Sequence, residues 1–369
     1  MAKDEEKIVS IIIPVFNRKS IVIETLDFLI SQTYTHWEAI LVDDGSTDGT
    51  LEILKDYNKN DNRIKIFTRN RPPKGAQTCR NIGLEKSTGN YIIFLDSDDL
   101  LASYCLEQRI RYMEENPEMD FAVFPIIIFD KEPIDTLKYW NIFTDERDLD
   151  RFIRYDVVWQ TSSPIYKRTF VQKLNWDELL ISGQDWDYHV KALALNPTYE
   201  KVNTLPDCFI RRDSSDRISY RFFDPPEIMN RAISLQMIYN LLKKKNLWKK
   251  KYNIPYTILY FSLAKILVKT KDFQFNVKSF FSPVIKNRMI GFKDYYIMYY
   301  YLLGLKKYQN DLEKRNKVRK YFSRFLPEYL NVNFYNVTQE KVKMEDKCLQ
   351  EFLKRNSKLI KNNNQFNYS

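Results

Sequence analysis

The sequence is poor in several residue types, and each shortage excludes a class of protein. Only 8 of its 369 residues are Gly and 14 are Pro, whereas 44% are hydrophobic, which excludes a linker-rich or low-complexity chain. The four cysteines show no CxxC spacing, so neither a zinc site nor a disulfide framework is predicted. No apolar run is long enough for a membrane span, and "MAKDEEKIVS" does not have the pattern of a secretory signal. We therefore expect a folded, cytoplasmic protein.

The charge is strongly positive and unevenly distributed. A net charge of +10 predicts an anionic partner, which could be nucleic acid, a phosphorylated ligand or an acidic membrane surface. Basic residues concentrate after about residue 240, in stretches such as "LLKKKNLWKKKYN" and "EKRNKVRKYF". No nucleic-acid-binding motif accompanies them, so no nucleic-acid partner is expected. The chain length favours a catalytic domain over residues 1–225 followed by a basic, aromatic and helical region over 226–369.

The first half alternates short apolar runs with helical patterns. Four runs are predicted to be strands buried on both faces: 9–15, 37–43, 64–68 and 91–95. Three segments between them are predicted to be helices: 20–32, 48–59 and 75–86. The run "FAVFPIIIF", 121–129, is predicted to be one further buried strand. This order indicates an α/β doubly wound, mostly parallel sheet, in which ligands bind beyond the carboxyl ends of the strands.

Two acidic turns follow predicted strands. The stretch "YIIFLDSDDLL" contains Asp96, Asp98 and Asp99, and "VDDGS" contains Asp43 and Asp44. Both turns are expected at the same edge of the sheet. Carboxylates at i and i+2 suit a hard divalent ion, Mg²⁺ or Mn²⁺, which leaves positions open for substrate phosphates. Helix capping and a tight turn explain part of the pattern, but three carboxylates after one strand exceed what capping needs.

Five segments resemble the family 2 inverting glycosyltransferases, which have a GT-A fold: "SIIIPVFNR", "SQTY", "WEAILVDDGSTDGT", "RNIGLEKSTGNYIIFLDSDDLL" and "SGQDWDYHVKAL". They occur in the family's order over about the first 220 residues. The resemblance implies a nucleotide-diphospho-sugar transferase fold, with a donor half over about 1–100 and an acceptor half over about 101–225. It also implies synthesis of a cell-surface polysaccharide, with a UDP sugar as the favoured donor.

The same resemblance implies roles for individual residues. Those expected to bind the donor nucleotide are Pro14, Asn17, Asp43, Asp44, Arg80 and Asp96. Asp98, together with Asp96, would hold the Mn²⁺ or Mg²⁺ ion that bridges the donor diphosphate. The family often has a His that completes this site, whereas this chain offers Arg211, Arg212 and Arg217. At least one of these arginines is expected to reach the phosphates, because a guanidinium donates paired hydrogen bonds and neutralises charge on the leaving group.

The segment "SGQDWDYHVKAL" carries the candidate general base. Trp186, Val190 and Leu193 have helical spacing and are expected to pack against the sheet, which leaves Asp185 facing the cleft. By the resemblance, Asp185 deprotonates the acceptor hydroxyl. The family usually has Glu immediately before this Asp, whereas this chain has Gln184. A helix cap explains Asp185 without any ligand and remains the alternative.

Three further expectations concern the same helix. Trp186 and His189 are candidates for contact with the acceptor, although a lone His is often a structural residue. Asp187 is expected to be solvated.

From about residue 226 the sequence predicts helices that mix aromatic and aliphatic residues and are flanked by lysines, such as "GFKDYYIMYYYLLGLKKYQ". Two interpretations remain open. These helices could lie at the interface of an anionic membrane, with their rings at the headgroup level. They could instead form a bundle packed on the catalytic domain. The first interpretation would bring the protein to the inner face of the cell membrane, where lipid-linked acceptors occur.

The favoured function is a metal-dependent inverting hexosyl- or N-acetylhexosaminyl-transferase that acts on a glycan or lipid-linked acceptor. A sugar-phosphate nucleotidyltransferase would need a Gly-rich phosphate loop near the N-terminus, and "IIIPVFNRKS" contains no Gly. A catalytically inactive scaffold of a membrane complex would not need intact Asp96, Asp98 and Asp185.

Overall fold

The computed structural model describes residues 6–140, 143–212, 224–270 and 276–330, together with residues 351, 354 and 355. The strands in chain order are β1 (Val9–Val15), β2 (Trp37–Asp43), β3 (Ile64–Thr68), β4 (Tyr91–Phe94), β5 (Leu100–Leu101), β6 (Phe121–Val123), β7 (Ile126–Phe129), β8 (Lys138–Tyr139), β9 (Pro164–Lys167), β10 (Tyr199–Lys201) and β11 (Cys208–Arg211). The longer helices are α1 (Val22–Ile30), α2 (Thr50–Asn60), α3 (Ala76–Lys86), α4 (Cys105–Glu115), α7 (Gln184–Leu193), α8 (Pro225–Lys244), α9 (Asn253–Leu267), α12 (Phe292–Lys307) and α13 (Leu312–Phe322). The shorter helices are α5 (Asp148–Ile153), α6 (Arg168–Val171), α10 (Val277–Phe280) and α11 (Ser282–Lys286).

The central sheet has seven strands in the order β10-β6-β9-β4-β1-β2-β3. Strands β1 to β4 are parallel to their neighbours among themselves, and β9 is antiparallel to both β4 and β6. The mostly parallel α/β sheet predicted from the sequence is therefore confirmed. The first four strands and the three helices between them begin and end within two residues of their predicted limits.

The run 121–129 forms two strands, so the prediction of a single strand is wrong. β6 pairs within the central sheet, whereas β7 pairs with β11 and β8 in a second sheet of order β5-β11-β7-β8. Pro125 lies between them and has no N–H to donate to a ladder, which explains why pairing stops there. Because β11 also pairs with β5, the second sheet places Arg211 beside the turn that contains Asp99.

Side chains alternate between two apolar cores, one on each face of the central sheet. Ile12 and Ile40 belong to one core, and Ile11 and Leu41 belong to the other, as expected for strands buried on both faces. Helix α3 lies close to β1 on the first face. A Cβ atom added to Gly83 of α3 would lie 2.4 Å from Cγ2 of Ile12, so this approach requires Gly.

The C-terminal helices share the first of these cores. Buried residues of α8, α9 and α12, such as Ile228, Leu259 and Leu302, continue the apolar cluster that contains Ile12. Helix α8 also contacts α7 directly. The interpretation of a bundle packed on the catalytic domain therefore describes α8 and α9. Among the residues that the structure describes, no helix is both long and apolar enough to cross a membrane.

Candidate functional site

The first acidic turn follows β2. Oδ2 of Asp43 accepts hydrogen bonds from the backbone N–H groups of Gly45 and Ser46, each at 3.0 Å. The other carboxylate oxygen, Oδ1, is buried and has no hydrogen-bond partner within the described part of the chain. A buried acceptor in this state destabilises the protein unless a ligand or water donates to it. Oδ1 of Asp43 is therefore a candidate acceptor for a hydroxyl or N–H group of a ligand.

Asn17 joins the end of β1 to the same turn. Its Oδ1 accepts a hydrogen bond from the N–H of Thr47 at 2.9 Å, and its own N–H donates to Oγ of Ser46 at 2.9 Å. Asn17 has a φ of +50°, in the left-handed region that Asn tolerates better than most residues. Pro14 lies within β1, where it is buried beside Val42 of β2.

Asp44 is 5% exposed and forms an ion pair with Nε of Arg69. Nη1 of Arg69 donates a hydrogen bond to the carbonyl of Arg71 at 2.6 Å, which fixes the guanidinium. Arg69 was not among the site residues predicted from the sequence. Its position in the sequence could have indicated a site residue, because Arg69 follows β3 directly, just as the first acidic turn follows β2. A ligand that contacts Asp44 therefore meets a carboxylate whose charge is already balanced.

The second acidic turn, after β4, is linked to α7 by one guanidinium. Nη2 of Arg80 donates to Oδ1 of Asp96 at 2.5 Å, and Nη1 donates to Oε1 of Gln184 at 3.3 Å. The guanidinium of Arg80 lies 4.4 Å from the centre of the Trp176 ring and is almost fully buried. The side chain of Asp96 remains 39% exposed. The structure thus brings together Arg80 and Asp96, two of the residues predicted to bind the donor nucleotide.

Asp99 differs from the two other carboxylates of this turn because it is buried. Oγ of Ser162 donates to one of its oxygens at 3.0 Å, and the N–H of Arg211 donates to the other at 3.3 Å. Burial raises the pKa of Asp99 well above its ordinary value, and the charges of Asp98 and Asp96 raise it further. Asp99 therefore shapes the turn, whereas the side chains of Asp96 and Asp98 are only half-buried.

A buried ion pair supports this turn from below. Arg109 of α4 and Asp207 both have fully buried side chains and are joined by two hydrogen bonds of 2.9 and 2.6 Å. Nη1 of Arg109 also donates to the carbonyl of Ser162 at 3.0 Å. Since Ser162 in turn holds Asp99, the position of the acidic turn depends on the packing of α4.

Two of the three candidate arginines lie within the described residues, and they differ in position. Nε of Arg211 donates to the carbonyl of Asp98 at 3.3 Å, and its Nη2 pairs with Glu24. Arg211 is therefore adjacent to the acidic turn. The guanidinium of Arg212 instead donates two hydrogen bonds to Asp130, at 2.8 and 2.7 Å, which directs it away from that turn. Arg217 lies outside the described residues.

The carboxylates of the second turn fit a metal ion only if the substrate supplies further ligands. Within the described ranges, no group of three or more His, Cys, Asp and Glu side chains is arranged to hold a metal ion. Asp96 and Asp98 can supply one or two carboxylates, which is what Mg²⁺ and Mn²⁺ sites shared with a diphosphate take from the protein. This all-oxygen donor set is the kind that hard divalent ions such as Mg²⁺ and Mn²⁺ prefer.

Asp185 lies in the first turn of α7, which starts after Gly183. Gly183 has a φ of +72°, a conformation that strongly favours Gly at this turn. Burial raises the pKa of Asp185; the positive charge of Arg80 opposes this shift, and the charge of Asp96 adds to it. Asp185 therefore belongs to the same electrostatic cluster as the second acidic turn. A carboxylate with a raised pKa is a stronger base than an ordinary one, so the electrostatic surroundings of Asp185 suit a group that accepts a proton.

Gln184 uses both ends of its amide. Nε2 donates to the carbonyls of Leu180 and Ile181 at 3.3 and 3.2 Å, and Oε1 accepts the hydrogen bond from Arg80. A Glu at this position could accept from Arg80 but could not donate to the two carbonyls. The departure from the family's usual Glu thus gives the loop before α7 two additional hydrogen bonds.

The structure corrects two expectations about α7. His189 is 1% exposed, and its ring lies between aromatic side chains, with Nδ1 at 3.4 Å from the hydroxyl of Tyr166. Burial lowers the pKa of His189 to about 3, so the ring is neutral, and the predicted contact with an acceptor is wrong. Asp187 is also 1% exposed and not solvated. Its Oδ2 lies 2.5 Å from Nζ of Lys191, and burial raises its pKa to about 6.

Trp186, the other candidate for acceptor contact, is 3% exposed, and its indole N–H donates to the carbonyl of Phe152 at 2.6 Å. A direct hydrogen bond from Trp186 to an acceptor is therefore excluded. The indole lines a cavity beside the start of α7, together with Tyr155 and Arg231. Tyr155, which the sequence analysis missed, has a φ of +67°, a strained value of the kind found at functional sites. No sequence motif marks it.

Comparison with known proteins gives a consistent assignment. Residues 10–178 match the model of glycosyl transferase family 2. Over 108 residues the chain is 43% identical to an uncharacterized glycosyltransferase of Rickettsia bellii, a match that covers 29% of this chain and 15% of that protein. Over 129 residues it is 37% identical to the putative teichuronic acid biosynthesis glycosyltransferase TuaG of Bacillus subtilis, covering 35% and 51%. These matches span about half of the relatives' length or less.

Among solved structures, S. aureus TarS 1–349 in complex with UDP-GlcNAc superposes with a TM-score of 0.60. The superposition covers 88% of this chain and 93% of that chain, at 16% sequence identity. At this identity the likeness concerns the fold, and it confirms the expected GT-A architecture.

Proposed function

We propose that this chain, whose residues 10–178 match the model of glycosyl transferase family 2, is an inverting glycosyltransferase of cell-surface polysaccharide synthesis. It transfers a sugar from a nucleotide diphosphate sugar to a hydroxyl of a glycan or lipid-linked acceptor. The observation that carries this proposal is the contact of Arg80 with both Asp96 and Gln184. It links a turn suited to a diphosphate with the helix that presents Asp185. The name of the relative TuaG, for teichuronic acid biosynthesis, supports a surface polysaccharide as product.

The turn after β2 is the proposed binding site of the nucleoside. Oδ1 of Asp43 is available to accept a hydrogen bond from the nucleoside. Asp44 and Arg69, which form an ion pair, offer it a hydrogen-bond acceptor and a cation side by side. Asn17 and Pro14 complete this side by fixing the end of β1. UDP is the favoured nucleotide, and UDP-GlcNAc, the ligand of the fold neighbour TarS, is the first sugar nucleotide to test.

The turn after β4 is the proposed binding site of the diphosphate. Asp98, with Asp96, would hold Mn²⁺ or Mg²⁺, and the ion would neutralise phosphate charge as the nucleotide leaves. Arg211, whose Nε donates to the carbonyl of Asp98, is the arginine that we propose donates to a phosphate. Arg80 stabilises negative charge on the same turn from its buried side.

Asp185 is the proposed general base. Its carboxylate takes the proton of the acceptor hydroxyl while the hydroxyl oxygen attacks the anomeric carbon. The new carbon–oxygen bond forms on the face opposite the breaking bond to the diphosphate oxygen, so the anomeric configuration inverts. The nucleotide diphosphate leaves with the electron pair of that bond, and Asp185 ends protonated.

The proposal includes a location. A lipid-linked acceptor would bring the cytoplasmic enzyme to the inner face of the cell membrane, and the basic C-terminal half would favour that anionic surface. Attachment would be peripheral and reversible.

A thermal-shift screen of sugar nucleotides, with and without Mn²⁺, tests the donor assignment. A ligand that binds only the folded state raises the melting temperature. UDP-GlcNAc and other UDP sugars are expected to raise it in the presence of Mn²⁺, and GDP sugars less so. The absence of a shift with every sugar nucleotide, in a protein that melts cooperatively, would contradict the proposal. An active preparation that yields a product of retained anomeric configuration would contradict the inverting mechanism.

A further inference from the structure

Helix α12 presents aromatic rings and lysines along its outward face. The exposed residues of this face, here called the α12 stripe, are Phe292, Lys293, Tyr296, Tyr300 and Lys307. The aromatic members are spaced at i, i+4 and i+8, which places them in one row on a helix. They are 75%, 52% and 56% exposed respectively, far more than a residue that packs within a bundle.

The opposite face of α12 is buried and holds the helix in place. Met298, Leu302 and Leu305 are at most 1% exposed and belong to the core that α12 shares with α9. That buried face therefore accounts for the packing of α12 within the bundle. The stripe is a second apolar surface, for which the fold of the described residues provides no cover.

The rings of the stripe are ordered along the helix. Tyr296 and Tyr300 stack with ring centres 6.4 Å apart, and beside them Tyr295 and Tyr299 stack at 5.8 Å. Exposed aromatic residues that stand singly need no explanation, but a contiguous row marks an interaction surface. Tyr suits the boundary between an apolar phase and water, because its ring is apolar and its hydroxyl is polar.

The charge around the stripe is positive. The sequence of α12 contains one carboxylate, Asp294, which lies away from the stripe and accepts a hydrogen bond from the hydroxyl of Tyr329 at 2.9 Å. Residues 276–330 contain twelve Lys and Arg and four Asp and Glu. The surface is therefore complementary to an anionic one. A second copy of this chain would bring two such positive surfaces together, which disfavours self-association through the stripe.

We propose that the α12 stripe docks on an anionic lipid bilayer, with its rings at the headgroup level and Lys293 and Lys307 against lipid phosphates. This inference rests on the membrane location in the proposed function and identifies the α12 stripe as the surface that contacts the membrane. The rings and the two lysines are each a weak anchor, so binding is reversible and is weakened by salt, which screens charge over about 8 Å at physiological ionic strength.

Co-sedimentation of the full chain with vesicles tests the assignment. The protein is expected to pellet with vesicles of phosphatidylcholine and phosphatidylglycerol at low salt, to pellet less at high salt, and to remain in solution with phosphatidylcholine alone. The variant Phe292→Ser/Tyr296→Ser/Tyr300→Ser should weaken binding at least about tenfold. The variant Lys293→Glu/Lys307→Glu should weaken it at low salt and differ less from the wild type at high salt.

Matched controls carry the same chemical changes elsewhere. Ile233→Ser/Met237→Ser removes two exposed apolar residues of α8, and Lys55→Glu/Lys59→Glu reverses two exposed lysines of α2. Both should bind vesicles like the wild type. Circular dichroism melts would check that every variant is folded.

The outcomes separate the stripe from the membrane proposal. Vesicle binding that survives in both stripe variants would overturn the stripe while leaving the membrane location in place. No binding of the wild type to anionic vesicles at low salt would overturn both. A dimer in light scattering that the ring variant abolishes, without vesicle binding, would identify the stripe as an interface between copies. None of these results bears on donor binding, which the thermal-shift screen measures separately.

Discussion

Arg80 and Asp96 are joined by a hydrogen bond of 2.5 Å, and the same guanidinium reaches Gln184 at the start of α7. One side chain thereby connects the proposed diphosphate site with the proposed base. Because the positive charge of Arg80 opposes the rise in the pKa of Asp185, any change at Arg80 acts on both halves of the reaction.

The metal assignment predicts the behaviour of Asp98→Ala. Mn²⁺-dependent binding of UDP-GlcNAc should be lost, because a single remaining carboxylate of the pair cannot hold the ion well. The fold should be retained, since Asp98 is only half-buried at a strand end. Isothermal titration calorimetry with and without Mn²⁺ measures this. Asp130→Ala, which removes a carboxylate paired with Arg212, is the matched control; equal donor affinity in both variants would remove Asp98 from the site.

The base assignment predicts that Asp185→Asn lowers turnover at least about 10²-fold, because an amide cannot accept the proton. Donor binding should change little. In the wild type, turnover should increase with pH through a pKa above that of an ordinary Asp, since only the ionised form is a base and burial raises its pKa. A pH–rate profile measures both effects, and near-normal turnover in the variant would refute the assignment.

Gln184→Glu tests the connection through Arg80. The new carboxylate adds negative charge next to Asp185, so the pKa of Asp185 should rise and the acidic limb of the pH–rate profile should move to higher pH. Gln184→Met removes the two hydrogen bonds to the carbonyls of Leu180 and Ile181, and also the one from Arg80, without adding charge. It should lower turnover and leave the limb in place. An unshifted limb in Gln184→Glu would show that residue 184 does not act on the base electrostatically.

The sequence predicted the parts of the fold that depend on local patterns. Strands β1 to β4 are apolar on both faces, which is visible in a single run, and acidic turns after strands necessarily lie at one edge of a parallel sheet. The break at Pro125 was also visible as a proline within an apolar run, but the sequence does not say which sheet the second half joins. Arg69 and Tyr155 were missed because their importance comes from contacts across the fold and not from a motif.

The errors on α7 have one physical cause. Helical periodicity predicts which residues face the sheet, but it cannot show that the opposite side of the helix is covered as well. Helix α8 packs against α7, and its Ser234 contacts the buried Asp187, whereas the ring of His189 is covered by Phe152 and Trp159. A segment that appeared separate in the sequence thus completes the core around the candidate base.

Burial of Asp187 predicts a pH-dependent stability. Its pKa is about 6 in the folded protein, against an ordinary value of 3.8, because burial disfavours the charged form more than Lys191 stabilises it. The folded state therefore binds more protons than the unfolded state between these two values, so the contribution of Asp187 to stability is lost as pH rises through 6. Asp187→Asn removes this dependence.

Relative to Asp187→Asn, the wild-type free energy of unfolding should fall by up to about 3 kcal/mol between pH 4 and pH 7. The attraction of Lys191 for the ionised carboxylate is already included in the pKa of about 6, so it needs no separate correction. Urea denaturation of both proteins at a series of pH values measures the difference. Asp56→Asn, at an exposed position paired with Lys59, should give a curve parallel to the wild type. Parallel curves for Asp187→Asn and the wild type would contradict the prediction, because they would mean that folding leaves the pKa of Asp187 unchanged.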